Sequence, residues 1–141
     1  MGVPLEKLLS ESDFVILACP LTSETRHLIN QKTLGKMKKT AWLINVGRGA
    51  VVQESALLEA LSEKRIAGAM LDVHEHFRLA PGHPLLSLDN AILTPHLAGM
   101  TVECNARMAL AAAHEMLRML AGEPPQNFVN PQCLVKQGGV L

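Results

Sequence analysis

The sequence has no net charge and no long hydrophobic run, and each shortage excludes a class of protein. Thirteen basic residues balance thirteen acidic ones, so no overall field draws the chain to nucleic acid or to an anionic membrane. The longest apolar stretch, near residues 14–21, contains a proline and is far shorter than the roughly 18 residues of a membrane span. We therefore expect neither a nucleic-acid partner nor a membrane partner.

Cysteine is also scarce. Cys19, Cys104 and Cys133 are odd in number and far apart, which fits neither a disulfide framework nor the paired ligands of a zinc site. The first residues lack the basic segment and apolar run of a secretory signal. These features predict reduced thiols and a cytoplasmic location. The 141 residues, 48% of them apolar, suffice for about one domain.

Apolar runs alternate with helical patterns along the chain. Strands are predicted at 14–19, 41–46, 66–71 and 91–94, and helices from Leu5, at 30–37, at 54–64 and from Thr101 to Gly122. The first strand lacks alternation of apolar and polar residues, which predicts burial on both faces. Strands and helices that alternate through short connections predict an α/β fold with a mostly parallel sheet.

Three charged or titratable residues follow successive predicted strands. Arg48, Asp72 and His96 lie at carboxyl ends, where parallel sheets usually build their sites. Each also has a structural interpretation: a loop ion pair, a turn former and a hydrogen-bonded loop residue, respectively. Their occurrence at three neighbouring strand ends favours a functional site, and we expect them to face one cleft.

Five motifs in this order resemble the D-isomer-specific 2-hydroxyacid dehydrogenases, the family of the glyoxylate/hydroxypyruvate reductases and phosphoglycerate dehydrogenase. They lie at residues 13–15, 20–25, 43–49, 71–73 and 93–99, and the resemblance extends from about Leu5 to Pro131. It implies the later half of a doubly wound, Rossmann-like sheet with flanking helices and a long C-terminal helix. It also implies hydride transfer between NAD or NADP and a small 2-oxo or 2-hydroxy acid.

The resemblance assigns roles to individual residues. Arg48 is implied to bind the substrate carboxylate, for which its planar, permanently charged guanidinium is suited. His96 is implied to be the acid/base, a role that suits an imidazole group, which in general can give or take a proton near neutral pH. The positions implied to line the cofactor are Cys19, Pro20, Thr25, Val46, Gly47, Arg48, Asp72, His96 and Gly99. No metal site is implied.

The resemblance also leaves parts of the family pattern unmatched. The phosphate-binding G-x-G-x-x-G is absent, because the only G-x-G spans residues 47–49 and Val52 stands where the third glycine would be. We therefore expect residues 1–125 to be a partial NAD(P)-binding domain and residues 126–141 to be a tail that returns to an absent substrate domain. The chain is expected to be a fragment of a longer enzyme, inactive alone.

One position departs from the family. Phe77 stands where a glutamate usually supports the protonated catalytic histidine, and a phenyl ring cannot do so. Reduction is then expected to decline at a lower pH than in relatives with the glutamate. Glu75 is two residues earlier, about 7 Å along an extended chain, and replaces it only if the loop rearranges. His74, His76 and His83 have no zinc-site spacing and are interpreted as loop residues.

Two rival interpretations stay open. The chain can be a non-catalytic dinucleotide-binding or corepressor-like module, which Phe77 favours and the pair of Arg48 and His96 opposes, or a truncated product without its own function. The sequence does not choose between NAD and NADP. The apolar edge of the first strand is expected to promote a homodimer or larger self-association.

Overall fold

A four-stranded parallel sheet organises the first part of the chain. The computed structural model describes residues 2–76, 79–127 and 129, and the chain divides into two compact units, Met1–Ala98 and Gly99–Leu141. In the first unit the strands are β1 (Phe14–Leu17), β2 (Trp42–Asn45), β3 (Gly68–Leu71) and β4 (Ala91–Leu93), in that spatial order. Each lies within its predicted range, and the predicted α/β fold with a parallel sheet is confirmed.

Three helices accompany this sheet: α1 (Leu5–Glu11), α2 (Gln31–Leu34) and α3 (Glu54–Ser62). Asn30 caps α2 as predicted, since its side chain accepts hydrogen bonds from the N–H groups of Lys32 and Thr33. The predicted apolar stripe of α3 is buried, at Ala56, Leu57, Ala60 and Leu61. Short 3-10 turns at Gly49–Val51 and Pro84–Ser87 interrupt segments that the sequence predicts only as loops.

The core lies against one face of the sheet. Val15 and Leu17 of β1 and Leu43 of β2 are buried there together with residues of all three helices. Parallel register places Phe14 beside Trp42 and Ile16 beside Ile44 on the other face. Alternation of side chains along each strand thus separates a packed face from a second apolar face.

Burial of the first strand on both faces, as predicted from its sequence, is wrong for the described residues. Phe14 and Ile16 are 66% and 62% exposed, and Met70 and Ile92 are also exposed on the same face. The physical reason is that the buried residues of α1, α2 and α3 all belong to the single cluster on the opposite face. An apolar run indicates that both faces of a strand can be buried. Whether a face is buried depends on which elements pack against it.

The second unit contains the long helix α4 (Val102–Leu120). Thr101 caps it as predicted, since its hydroxyl accepts a hydrogen bond from the N–H of Cys104. None of the residues of α4 is buried, and its apolar stripe, including Leu110 and Met116, is exposed. No helix among the described residues has both the length and the apolar character needed to cross a membrane.

Candidate functional site

A cavity of about 540 Å³ opens at the carboxyl ends of β2, β3 and β4. Its lining consists of Arg48, Gly49, Asp72, Val73, His74, Thr94, Pro95 and His96. The three strand-end residues predicted to share a cleft therefore line one cavity, all of it within the first unit. Because the strands are parallel and in register, their carboxyl ends deliver these side chains to the same edge.

The loop that carries Arg48 is shaped by the last residue of β2. Asn45 is completely buried; its amide Nδ2 donates to the carbonyl of Arg48, and its Oδ1 accepts from the N–H of Gly47, each at 3.1 Å. The guanidinium of Arg48 is exposed and donates to the Gly47 carbonyl at 2.8 Å. None of the ion pairs among the described residues includes Arg48, so its remaining donors are available to an anion.

The two glycines of this loop permit close backbone contact. A Cβ atom on Gly49 would lie 1.7 Å from the carbonyl oxygen of His74, and one on Gly47 would lie 2.8 Å from that of Cys19. Both distances are shorter than a non-bonded contact allows, so each position requires glycine. The loop after β2 is thereby held against the loops after β1 and β3.

Asp72, at the end of β3, holds the loop that carries His96. Its buried carboxylate accepts hydrogen bonds from the Thr94 hydroxyl and from the N–H groups of Leu97 and Ala98, the last two at 2.7 and 2.8 Å. Burial alone would raise the pKa of Asp72, but these hydrogen bonds and the neighbouring His96 outweigh it and hold the pKa below its usual 3.8. The aspartate is therefore ionised throughout the neutral range.

His96 itself occupies an uncommon backbone conformation. Its φ is +60°, in the left-handed region that non-glycine residues seldom adopt. The imidazole is exposed at the cavity, between residues that Asp72 ties down on both sides. The anchored loop thus fixes the position of a titratable group beside Arg48 and Asp72.

The other predicted cofactor positions are not part of the cavity lining. Cys19 and Pro20 follow β1, farther along the same edge, where the Thr25 hydroxyl donates to the Pro20 carbonyl at 2.7 Å. Val46 is half-buried and Gly47 is buried in the loop after β2. Gly99 belongs to the second unit, and an added Cβ there would meet nothing within 4 Å.

Comparison with known proteins identifies the fold and the motifs. The family profile described as "D-isomer specific 2-hydroxyacid dehydrogenase, NAD binding domain" matches residues 1–98. The chain belongs to this family. It is 52% identical over 130 residues to a glyoxylate reductase of Thermofilum pendens, covering 92% of this chain and 38% of that protein. The dehydrogenase family is thereby established for the unit that contains the cavity.

Two further relatives agree. A glyoxylate/hydroxypyruvate reductase B of Pectobacterium carotovorum is 48% identical over 130 residues, covering 92% of this chain and 41% of that protein. A D-isomer specific 2-hydroxyacid dehydrogenase from Xanthobacter autotrophicus, solved with NADPH and MES, superposes with a TM-score of 0.79 at 42% identity, over 92% of this chain and 52% of that one. The chain thus spans about two fifths of the length of these curated dehydrogenase relatives.

The residues fit one end of the family's dinucleotide. Val73 and Pro95 supply apolar surface beside the polar groups of Asp72 and Thr94, a combination suited to the nicotinamide. The pyrophosphate has no matching cradle among the described residues, because the glycines at 47 and 49 are pressed against backbone carbonyls and the loop continues into a 3-10 turn that begins at Gly49. The G-x-G therefore belongs to the loop that carries Arg48.

Glu75 has a role that sequence reasoning missed. Its carboxylate lies 2.7 Å from Nε2 of His27 through one oxygen and accepts the N–H of Glu54, the first residue of α3, at 3.1 Å through the other. It is thus committed to these partners and does not replace the family glutamate beside His96. Phe77, at the family position, lies outside the described residues.

We expect Glu75→Gln to remove an acid-sensitive part of the stability. Burial raises the pKa of Glu75, but the N–H of Glu54, the hydrogen bond to His27 and the charges of His27 and His76 outweigh it and hold the pKa below 4.5. A lowered carboxyl pKa stabilises the fold above the unfolded-state value, and this is lost as pH falls through the folded-state value. Urea unfolding at pH 7 should show a loss of about 1–2 kcal/mol in the variant, and the difference should disappear in acid.

Glu24→Gln is the matched control, since Glu24 is exposed and forms no side-chain hydrogen bond among the described residues. It should unfold like the unmodified chain at both pH values. A Glu75→Gln protein as stable as the control at pH 7 would show that the carboxylate does not join these loops.

Proposed function

We propose that this chain supplies the catalytic edge of an NAD(P)-dependent reductase of small 2-oxo acids, which also oxidises the corresponding 2-hydroxy acids. The observation that carries the proposal is the shared cavity, in which an unpaired arginine, an exposed histidine and an anchored aspartate meet. The names of the relatives from Thermofilum and Pectobacterium support the same reaction class and suggest glyoxylate or hydroxypyruvate as substrate.

Each side chain has one task in this proposal. Arg48 binds the substrate carboxylate through two parallel N–H donors, which fixes the direction of the neighbouring carbonyl. His96 donates a proton to the carbonyl oxygen during reduction and removes it during oxidation. Asp72 keeps the His96 loop in place. The bound nicotinamide supplies or accepts the hydride.

The cofactor assignments carry over from the family as part of the proposal. Asp72 and the residues at 19, 20, 25, 46, 47 and 99 are proposed to line the nicotinamide side of NAD or NADP. The pyrophosphate-binding segment is proposed to come from sequence outside these 141 residues, with residues 1–125 as the partial cofactor domain and 126–141 as the return to a substrate domain.

Association and location form the last part of the proposal. The exposed apolar face around Phe14 and Ile16, together with the edge position of β1, supports a homodimer or larger assembly. A cytoplasmic location is proposed because Cys19 and Cys104 are free thiols, as is usual in a reducing compartment.

A hybrid enzyme tests the proposed reaction. This chain replaces the matching 130-residue segment of the Thermofilum glyoxylate reductase, and glyoxylate or hydroxypyruvate reduction is followed by NADH or NADPH absorbance. We expect turnover, and a fall in kcat/KM of at least about 100-fold for Arg48→Ala, because the charge-assisted contacts to the carboxylate are lost. Arg107→Ala, a change in exposed α4, is the matched control and should leave the rate within about twofold.

The 141-residue chain alone is expected to bind neither dinucleotide at micromolar concentration in calorimetry, because its sequence has no G-x-G-x-x-G loop to hold the pyrophosphate. A hybrid that binds NADH but reduces no 2-oxo acid would instead favour the non-catalytic binding module.

A further inference from the structure

The polar side chains that line the cavity differ in the partners they already have. Of the five polar residues that line it, Asp72 and Thr94 bond each other and are thereby occupied. Arg48 and His96 are taken by the proposed carboxylate and carbonyl contacts. The remaining group is the imidazole of His74, for which the proposed reaction gives no task.

The surroundings of His74 leave its ring unsatisfied. Its Nδ1 is enclosed yet has no hydrogen-bond partner, and no described group bonds either ring nitrogen. The carbonyl of the same residue lies directly against Gly49, so the backbone of His74 is fixed beside the arginine loop while the ring is untethered. No described hydrogen bond fixes the orientation of the ring about the Cβ–Cγ bond. An enclosed polar atom without a partner favours a ligand that supplies one.

The charge state of His74 selects the kind of partner. Burial lowers the pKa of His74, and the nearby imidazole of His83 acts in the same direction, while the carboxylates of Glu54 and Asp72 only partly offset this. The ring is therefore neutral at pH 7. A neutral imidazole suits a hydroxyl group, with which it exchanges a donor or an acceptor, better than a second carboxylate.

The size of the cavity leaves room for such a hydroxyl. The volume of about 540 Å³ is within the usual range of sites that bind small molecules. His74 lines the same cavity as His96, and a substituent on carbon 3 is adjacent to the carbonyl that His96 is proposed to protonate.

We propose that His74 is a specificity-determining residue that hydrogen-bonds a hydroxyl on carbon 3 and so favours 3-hydroxy-2-oxo acids, and their 2,3-dihydroxy products, over glyoxylate and glycolate. The proposal rests on the proposed reductase function, because Arg48 and His96 must first place the shared carboxylate and the oxygen on carbon 2. A site built to pair a hydroxyl discriminates against the analogue that lacks it.

An NMR titration of the hybrid enzyme, in which this chain is joined to the remaining parts of the reductase, tests this without cofactor or turnover. D-glycerate and glycolate are added separately to protein labelled at histidine and arginine, and dissociation constants are taken from the shifted signals. Both acids should shift the Arg48 and His96 signals, and only D-glycerate should shift His74. His74→Leu should weaken D-glycerate binding about tenfold and change glycolate binding less than about twofold.

Two further variants separate specificity from folding. His76→Leu, the same substitution at an exposed neighbour, should bind both acids as the unmodified chain does. His74→Gln, which keeps a donor and an acceptor, should recover part of the preference for D-glycerate.

The outcomes distinguish the two levels of the proposal. If both acids shift Arg48 and His96 but His74→Leu changes both affinities equally or neither, the assignment of His74 is overturned and the reductase site stands. If neither acid shifts Arg48 and His96, the reductase site itself is overturned, and the role of His74 with it.

Discussion

Gly49→Ala is expected to destabilise the first unit by about 3 kcal/mol or more, because the added methyl group meets a backbone carbonyl that cannot rotate away. The ideal Cβ position lies 1.7 Å from the oxygen and 2.0 Å from the carbon of the His74 carbonyl. Relief requires that the arginine loop and the loop after β3 separate, which breaks the wall of the cavity. Urea unfolding followed by circular dichroism measures the loss as a lower midpoint with an unchanged slope.

Gly99→Ala is the matched control for this substitution. A Cβ at Gly99 meets nothing within 4 Å, so its free energy of unfolding should stay within about 0.5 kcal/mol of the unmodified chain. If Gly49→Ala is as stable as this control, the loops after β2 and β3 do not touch as described.

Asp72→Asn is expected to have the second large effect, on stability and on the His96 loop together. The carboxylate accepts from one hydroxyl and two backbone N–H groups, whereas an asparagine side chain presents an N–H₂ toward one of these donors. In the variant a buried donor faces another donor and a charged acceptor is lost. Together these changes should lower the free energy of unfolding by about 2–4 kcal/mol. In the hybrid enzyme, release of the His96 loop should lower kcat about 100-fold, since catalytic geometry is lost.

The pH dependence of this effect has a definite sign. Because the pKa of Asp72 is held below 3.8, its stabilising contribution is complete at neutral pH and is lost as pH falls through the folded-state value. Unfolding of the Asp72→Asn protein should therefore differ most from that of the unmodified chain at neutral pH and least in strong acid. Asp89→Asn, at an exposed position without a hydrogen-bonded carboxylate among the described residues, should show no such dependence.

The positions of Arg48, Asp72 and His96 follow from the sequence because each comes directly after an apolar run. Parallel strands bring such positions to one edge whatever the details of the loops. The structural roles of Asn45 and Gly49 in the loop after β2 were not predictable in the same way. The partners of Asn45 lie within its own turn, but its complete burial depends on the strands around it, and the carbonyl that excludes a side chain at Gly49 belongs to His74, 25 residues farther along the chain.

The hydrogen bonds of Glu75 were also not predictable from the sequence. The sequence shows only how far Glu75 is from the family glutamate position along the chain. Its partners, His27 and the N–H at the start of α3, are 48 and 21 residues away in the sequence. The exposed face of the sheet was not predictable either. Phe14 and Ile16 are as apolar as the buried Val15 and Leu17, so the sequence pattern of β1 does not indicate which face is buried.

Hydride transfer itself is the most direct measurement of the proposed reaction. The hybrid enzyme is incubated with glyoxylate and NADH that carries deuterium at both C4 positions, and the glycolate formed is analysed by mass spectrometry. We expect one deuterium on carbon 2 of glycolate, formed at a rate that falls at least about 100-fold with His96→Ala, while NADH still binds. NADH binding without any labelled glycolate, or labelled glycolate formed equally fast without His96, would contradict the assignment of this strand edge as the catalytic site.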